Sequence, residues 1–389
     1  MADILLALNC GSSSVKFAAF DDDLAALFRG QVENIGEGLS PRLIVGGEPP
    51  GVLPAGLANH ADIIAHVLEA VIVPRAGGVA AVGHRVVHGG TGFGEPVLID
   101  PAIRAEIEAL APLAPSHQPH NLAGIDAIGR ALPGVPQVAC FDTAFHRTIP
   151  EHRQVMPLPQ RFADEGLRRF GFHGLSYQRI VASLPAVVGE RATGRTVVCH
   201  LGNGCSLTGV VGGKSVYTSM GFTPLDGLMM GTRPGRLDPG AVLWLVERHG
   251  GDLAAVDRLL NRESGLLGVS GLSSDMRSLL GDDSDGARRA VTMFVDRLVQ
   301  EVGSAAAAMG GLDLLVFTGG IGEHAVSIRA LTVSALRWLG FQLDEAANAR
   351  HATTITKAGM VPSAHVIATD EEAVIATAML EHSRTNQLR

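Results

Sequence analysis

Cationic runs are missing from this chain, and with a formal net charge of −8 over 389 residues its overall field favours neither nucleic acid nor an anionic membrane surface. Any anionic ligand must then be met by local cations. Cysteine is scarce as well. Cys10, Cys140, Cys199 and Cys205 lie in apolar or glycine-flanked stretches without metal-ligand spacing, which argues against a disulfide framework and fits buried thiols in a reducing cytoplasm. The opening MADILLALNC carries an acidic residue at its third position and its apolar run breaks at Asn9, so neither a signal peptide nor a membrane span is expected there. Aromatic residues make up only 4% of the chain against 48 glycines, a bias toward tight turns and loop-built sites. Apolar residues, by contrast, reach 46%, enough for large cores. At ~100–200 residues per domain the length predicts two domains with a cleft.

Residues 3–9 (DILLALN) read as a buried strand, Cys10 to Ser14 as a Gly/Ser turn, and Val15 to Phe20 as a second strand. Helical periods are expected at about 59–72, 101–111 and 121–132, and strands at 79–87 and 137–141, the last running into CFDTAFH. TVVCHLGNGCSLTGVV (196–211) repeats the order strand, glycine turn, strand, and helical patterns follow near 239–249 and 285–309. An internal duplication is the natural reading. Two strand-to-helix junctions come last. LDLLVFTGG (312–320) leads through IGEHA into a helix at 325–339, and HVIAT (365–369) leads through DEE into the final helix. Backbone N–H groups at such junctions suit phosphate. The domain boundary is expected in the Pro-containing stretch from Ile149 to Pro159.

Several motifs carry chemistry. In NCGSSSVK (9–16) three serines and a lysine interrupt an apolar β pair, as a phosphate loop or a plain polar turn would. GGKS (212–215) resembles the end of a Walker A loop, but the required first glycine falls at Thr208 and the segment joins two strands, so Lys214 reads as a turn lysine. Gly202, Gly204 and Gly209 lack the Rossmann spacing, which argues against nicotinamide chemistry. His84 and His88 in GHRVVHGG lack the flanking glutamate of a helical metal site and read as a strand end. Arg85, at the end of a buried strand, needs an anionic partner, either a structural carboxylate or a ligand's carboxylate or phosphate. Asp142 ends strand PQVACF, while His173 and Arg233 stand on the glycine-rich loops FGFHGLS and MMGTRPGRLDP. Together they supply what phosphoryl transfer needs, namely metal ligands and fixed cations around the transferred group.

The signatures LNCGSSSVKF, GHRVVHGG, FDTAFH, GFHG, HLGNG, MGFTPLDGLMMGTR, SSDMR, FTGGIGEH and TDEE stand in the order of the acetate/propionate kinase family, and the resemblance runs from Asp3 to Glu372. It implies an α/β fold of two duplicated ribonuclease-H-like lobes with a central cleft, the acetate and sugar kinase/actin-like ATPase fold. The N-terminal lobe, 1–150, would be rejoined by the returning helix 372–389, and the lobe 151–371 would carry the nucleotide site. A cytoplasmic homodimer is implied, acting on ATP and acetate with Mg²⁺, and Mn²⁺ as an alternative metal. Carried over by position, Asn9 and Glu371 resemble the metal-site residues, with Ser12, Ser14 and Lys16 beside the phosphates. Arg85 would hold the acyl substrate, Asp142 matches the family's essential aspartate, and His173 and Arg233 match the pair that steadies the transferring phosphoryl group. His200, Leu201, Gly202, Asn203 and Gly204 would line the ATP phosphates. Asp275, Met276 and Arg277 of SSDMR, with Gly320, Ile321, Gly322, Glu323 and His324 of GIGEH, would serve the adenosine and phosphate side.

This chain departs from the family pattern in places. His324 replaces an asparagine, Tyr177 the histidine of G-T-S-H, and TDEE the commoner TNEE. The acyl pocket would be lined by Val87, Ser116, Phe172 and Pro224 beside His117, with Ser116 where leucine is usual. Serine there predicts a wider, wetter pocket that admits propionate more readily. The rival readings are a kinase for propionate or butyrate, one using pyrophosphate, and a non-catalytic nucleotide-gated module. Retention of Asp142, His173 and Arg233 argues against the last.

Overall fold

The computed structural model describes residues 3–11, 13–36, 40–54, 57 and 59–384, so Ser12 lies outside the described residues. The chain forms two compact units. The first runs to Ala144 and resumes at Asp370, and the second spans Phe145–Thr369.

In the first unit the strands β1 (Asp3–Cys10), β2 (Ser14–Phe20), β3 (Ala26–Glu33), β4 (Arg42–Val45), β5 (Gly51–Val52), β6 (Gly78–Val86), β7 (Val97–Leu98) and β8 (Gln137–Phe141) form one sheet in the order β5-β4-β3-β2-β1-β6-β8-β7. β1 pairs antiparallel with β2 and parallel with β6, and β6 pairs parallel with β8. β1 is apolar at nearly every position because both its faces are covered. On one face Ile4, Leu6 and Leu8 pack with Ile63, Ile64 and Ile128 from the helices His60–Val67 and Gln118–Ala131. On the other lies the returning helix Glu371–Arg384, against β1 and β6. Gly83 of β6 admits it, since a Cβ there would collide with Ile375 and come within 3.1 Å of Met379 Sδ.

The second unit repeats the plan with β9 (Thr196–Leu201), β10 (Cys205–Val211), β11 (Lys214–Thr218), β12 (Leu314–Thr318) and β13 (Ser363–Val366), ordered β11-β10-β9-β12-β13. β9 pairs antiparallel with β10 and parallel with β12, and β12 parallel with β13. That is the arrangement of β3-β2-β1-β6-β8. Helix Asp285–Met309, capped by Ser284 and closed by left-handed Gly310, packs on one face of this sheet. Helix Gly174–Val188 covers the other, with Tyr177, Ile180 and Leu184 against Val198 and Val316. Gly212 and Gly213, both with positive φ, make the tight turn from β10 to β11, and Lys214 stands exposed after it.

Three expectations shift. β3, β4, β5 and β7 extend the first sheet beyond the predicted strands. GGIGEH is itself the short helix Gly319–His324, with a second helix at Val326–Ala335. The unit boundary falls at Ala144 rather than within 149–159, because residues just after it are tied to the second sheet. His146 Nδ1 lies 2.9 Å from Ser215 Oγ, Thr148 donates to the Ser215 carbonyl, and Arg153 donates to the carbonyls of Val216 and Ala308. All four cysteines are free and buried, and among the described residues no helix is long and apolar enough to cross a membrane.

Burial pushes the imidazoles of His84, His88, His146 and His365 down to about 4. Each is neutral in the fold and protonates near 6.5 once unfolded. Above that pH they contribute no pH dependence. As pH falls from 6.5 toward 4 the unfolded chain takes up protons the native one refuses, at about 1.4 kcal/mol per pH unit per histidine. The urea midpoint should therefore drop between pH 7 and pH 5, and a flat midpoint would show that these rings titrate in the native protein.

Candidate active site

Parallel strands end at a common edge of each sheet, and there the polar residues of the first unit converge. Asn9 lies near the end of β1, with Lys16 as its cross-strand partner on β2. Arg85 comes near the end of β6 and Asp142 directly after β8. Asp142 is fully buried, and its carboxylate is gripped by Arg85, with Nε 3.0 Å from Oδ1 and Nη2 2.5 Å from Oδ2. Arg85 Nη1 donates to Asn9 Oδ1 at 3.1 Å, and Glu371 stands 3.7 Å from Nε. Burial alone would lower the Arg85 pKa, but the charges of Asp142 and Glu371 outweigh it and raise the pKa above its ordinary value. Of the two readings left open for this arginine, the structural ion pair is present. It leaves two of a guanidinium's five N–H donors for a ligand.

Glu371 is delivered by a second ion pair. Arg29 of β3 holds Asp370 through Nη1 to Oδ1 at 2.9 Å and Nη2 to Oδ2 at 2.5 Å, while Asp370 Oδ1 also accepts from Ala373 N and so caps the returning helix. The aspartate of TDEE thus pairs its charge with an arginine while it caps the helix. Burial and the neighbouring Glu371 push the Glu372 carboxyl above its ordinary value, with Lys16 opposing them.

The second unit carries the other group of candidates. His173 adopts a left-handed backbone, φ +59°, at the head of helix Gly174–Val188, the kind of strain that persists where surroundings enforce it. Its ring stacks on His200 with centroids 4.3 Å apart. Gly204 completes a cradle, for a Cβ there would come 2.9 Å from Arg233 Nη2 and 3.5 Å from His173 Nε2. Arg233 donates through Nη1 to the Pro224 carbonyl at 2.7 Å, and burial draws its pKa below the ordinary arginine value. Among the described residues it makes no salt bridge. A half-buried guanidinium with no carboxylate partner keeps donors that can meet an anion.

Beside it opens a cavity of about 1000 Å³ lined by Gly202, Asn203, Asp275, Met276, Arg277, Gly320, Ile321 and His324 of the expected nucleotide set. Ser274, Leu280 and Ala325–Ser327 line it too, positions whose apolar or small side chains gave no chemical signal. His200, Leu201, Gly204, Gly322 and Glu323 of the expected set are not among its lining residues. Glu323 turns inward, where Oε1 accepts from Gly319 N at 2.9 Å and Thr369 N at 3.2 Å and so ties the ends of β12 and β13 together. The acyl-pocket candidates divide between the units, Val87 and Ser116 in the first, Phe172 and Pro224 in the second. Val87 and Phe172 are buried, whereas Ser116 is exposed with its hydroxyl 2.9 Å from His117 Nδ1. Ser14, half-buried, opens β2 and supplies the carbonyl for Gly11 N.

Arg329 is a support that sequence reasoning passed over. Fully buried, it donates to the carbonyls of Gly322 and Glu323 at 3.0 and 2.7 Å and to Asn348 Oδ1 at 2.8 Å, fixing the helix that presents Gly320, Ile321 and His324 to the cavity. Arg329→Met should cost on the order of 2–4 kcal/mol, because buried acceptors lose their donor at about 1–3 kcal/mol each. Urea unfolding of the ligand-free protein reads this directly, and a loss below about 0.5 kcal/mol would show that water replaces the guanidinium.

The sequence matches the model of the Acetokinase family over residues 4–377. It is 46% identical over 398 residues to an acetate kinase of Rhodopseudomonas palustris, with 97% of each chain covered. The fold superposes on the crystal structure of a propionate kinase from Francisella tularensis subsp. tularensis with a TM-score of 0.91 at 37% identity, covering 97% of this chain and 98% of that one. For the crystal structure of Porphyromonas gingivalis acetate kinase the TM-score is 0.89 at 38% identity, covering 98% and 99%. The paired sheets are therefore those of the acetate and sugar kinase/actin-like ATPase fold, and the chain belongs to the Acetokinase family.

Proposed function

We propose that the protein is an acetate kinase, transferring the γ-phosphoryl group of ATP reversibly to acetate to give acetyl phosphate and ADP. Beyond family membership, the observation that carries this reading is Arg233, a half-buried guanidinium with no carboxylate partner among the described residues, facing the same cradle as His173 Nε2. In this reading the cavity takes the nucleotide, Arg233 and His173 offset charge on the transferring phosphoryl group, and Arg85 offers its remaining donors to the acyl carboxylate. A carboxylic acid with pKa near ~4–5, like the side chains of Asp and Glu, is already ionised at neutral pH, so no base is needed. Asp142, with both oxygens engaged by Arg85, then serves to orient that guanidinium.

Among the described residues no cluster of three or more His, Cys, Asp or Glu side chains could hold a metal ion alone. The first unit nevertheless gathers the carboxylates of Asp142 and Glu371 about Arg85, with Glu372 next to Glu371. Asn9 and Glu371 would hold Mg²⁺ there, an ion that usually keeps several waters and takes few protein ligands. When bound, the ion neutralises phosphate charge.

Acyl hydroxamate formed from acetate, ATP, Mg²⁺ and hydroxylamine tests the activity, and no product would reject it. Run with propionate as well, on the wild type and on Ser116→Leu, the assay tests acyl choice: the leucine variant should shift kcat/KM toward acetate. Arg233→Lys should lower kcat by about 10²–10³-fold with ATP affinity nearly kept, since a point charge cannot span two phosphoryl oxygens as a planar fork does. An unchanged kcat would remove Arg233 from the mechanism.

A homodimer is part of the same reading. Helix Pro239–Arg248 buries no residue, and Leu243, Trp244 and nearby Leu253 are 71%, 59% and 67% exposed, an apolar surface suited to a second copy. Trp244→Glu should shift the sedimenting species from dimer to monomer.

A further inference from the structure

The stacked histidines of the second unit are each backed by a chain of hydroxyls that the activity alone does not explain. Tyr177, fully buried, bonds through its hydroxyl to Ser206 Oγ, and Ser206 Oγ lies 2.8 Å from His173 Nδ1. Beside this, Thr369 Oγ1 donates to Ser176 Oγ at 2.8 Å, and Ser176 Oγ lies 2.8 Å from His200 Nδ1. Strand pairing sets the two chains side by side, because Ser206 is the register partner of His200 across β10 and β9.

A serine hydroxyl has one proton to give. Between a phenol and an alcohol the phenol is the stronger acid and the better donor, so Tyr177 donates to Ser206 and the Ser206 proton goes to His173 Nδ1. Thr369 already donates to Ser176, so the Ser176 proton goes to His200 Nδ1. Each ring then accepts at Nδ1 and carries its own proton on Nε2. We propose that these two relays hold the His173–His200 pair as Nε2–H donors for anionic phosphoryl oxygens, with Tyr177 and Thr369 as positioning residues. The His173 Nε2 proton faces the Gly204 cradle it shares with Arg233 Nη2, where an acceptor-only imidazole nitrogen would repel the same oxygens.

The proposal rests on the phosphoryl-transfer reading for its purpose but not for its chemistry, and two measurements separate them. In the full-length ligand-free protein labelled with ¹⁵N-histidine, with His173→Asn and His200→Asn for assignment, both rings should show a bare Nδ1 and a protonated Nε2 near neutral pH. A proton on His173 Nδ1, alone or together with Nε2, overturns the relay whether or not the enzyme is active. Tyr177→Phe should mix the two His173 tautomers and lower kcat about 10–100-fold, the usual effect of losing an orienting partner, with KM for acetate and ATP changed less than about twofold. An unmixed tautomer with unchanged kcat removes Tyr177 from the role. Correct tautomers in a protein that forms no acyl phosphate would leave the relay standing and reject the kinase reading instead.

Discussion

Both units depend on the parallel alignment of three strands, β1, β6 and β8 in one, β9, β12 and β13 in the other. Parallel pairing forces the carboxyl ends of neighbouring strands to one edge, and at that edge the apolar sequence of each strand gives way to polar residues. Asn9, Arg85 and Asp142 meet because β1, β6 and β8 stop together. In the second unit the same rule brings the HLGNG turn, the GGIGEH helix and Thr369 to one edge. The glycines at these edges exclude side chains where backbone or guanidinium must come close, as Gly204 does for Arg233.

Much of this plan is legible in the sequence, and unevenly so for physical reasons. β1 and β9 are buried on both faces and read as apolar runs, and helix Asp285–Met309 announces itself by a serine cap and a terminal glycine. β3 and β4 lie toward an edge, where ALFRGQVE mixes charge and small residues because only part of each strand is buried. Helix Gly174–Val188 hides behind a left-handed histidine at its start and Pro185 near its end. The short helix in GGIGEH is stabilised by Glu323 and Arg329 from outside its own turn, which no local pattern records.

The candidate site follows the same division. Arg85, Asp142, His173 and Arg233 stand out because charged or titratable residues at strand ends and in glycine loops are out of place as core. Their supports do not. Ser206, Ser176 and Tyr177 are ordinary residues until strand register and helix packing set them behind the imidazoles, and Arg29 and Asp370 are brought together across 341 positions of sequence.

The second unit is an insertion within the first, since the chain leaves the first unit after Ala144 and returns to it at Asp370. During synthesis the inserted unit has all its strands and helices before the first has its last helix. Until Ile375 and Met379 emerge, one face of β1 and β6 stays uncovered, with Gly83 an empty notch and Arg85 lacking the Glu371 carboxylate. Vectorial growth therefore lets the second unit assemble early and leaves the cluster around Arg85 without its Glu371 member until the returning helix is made.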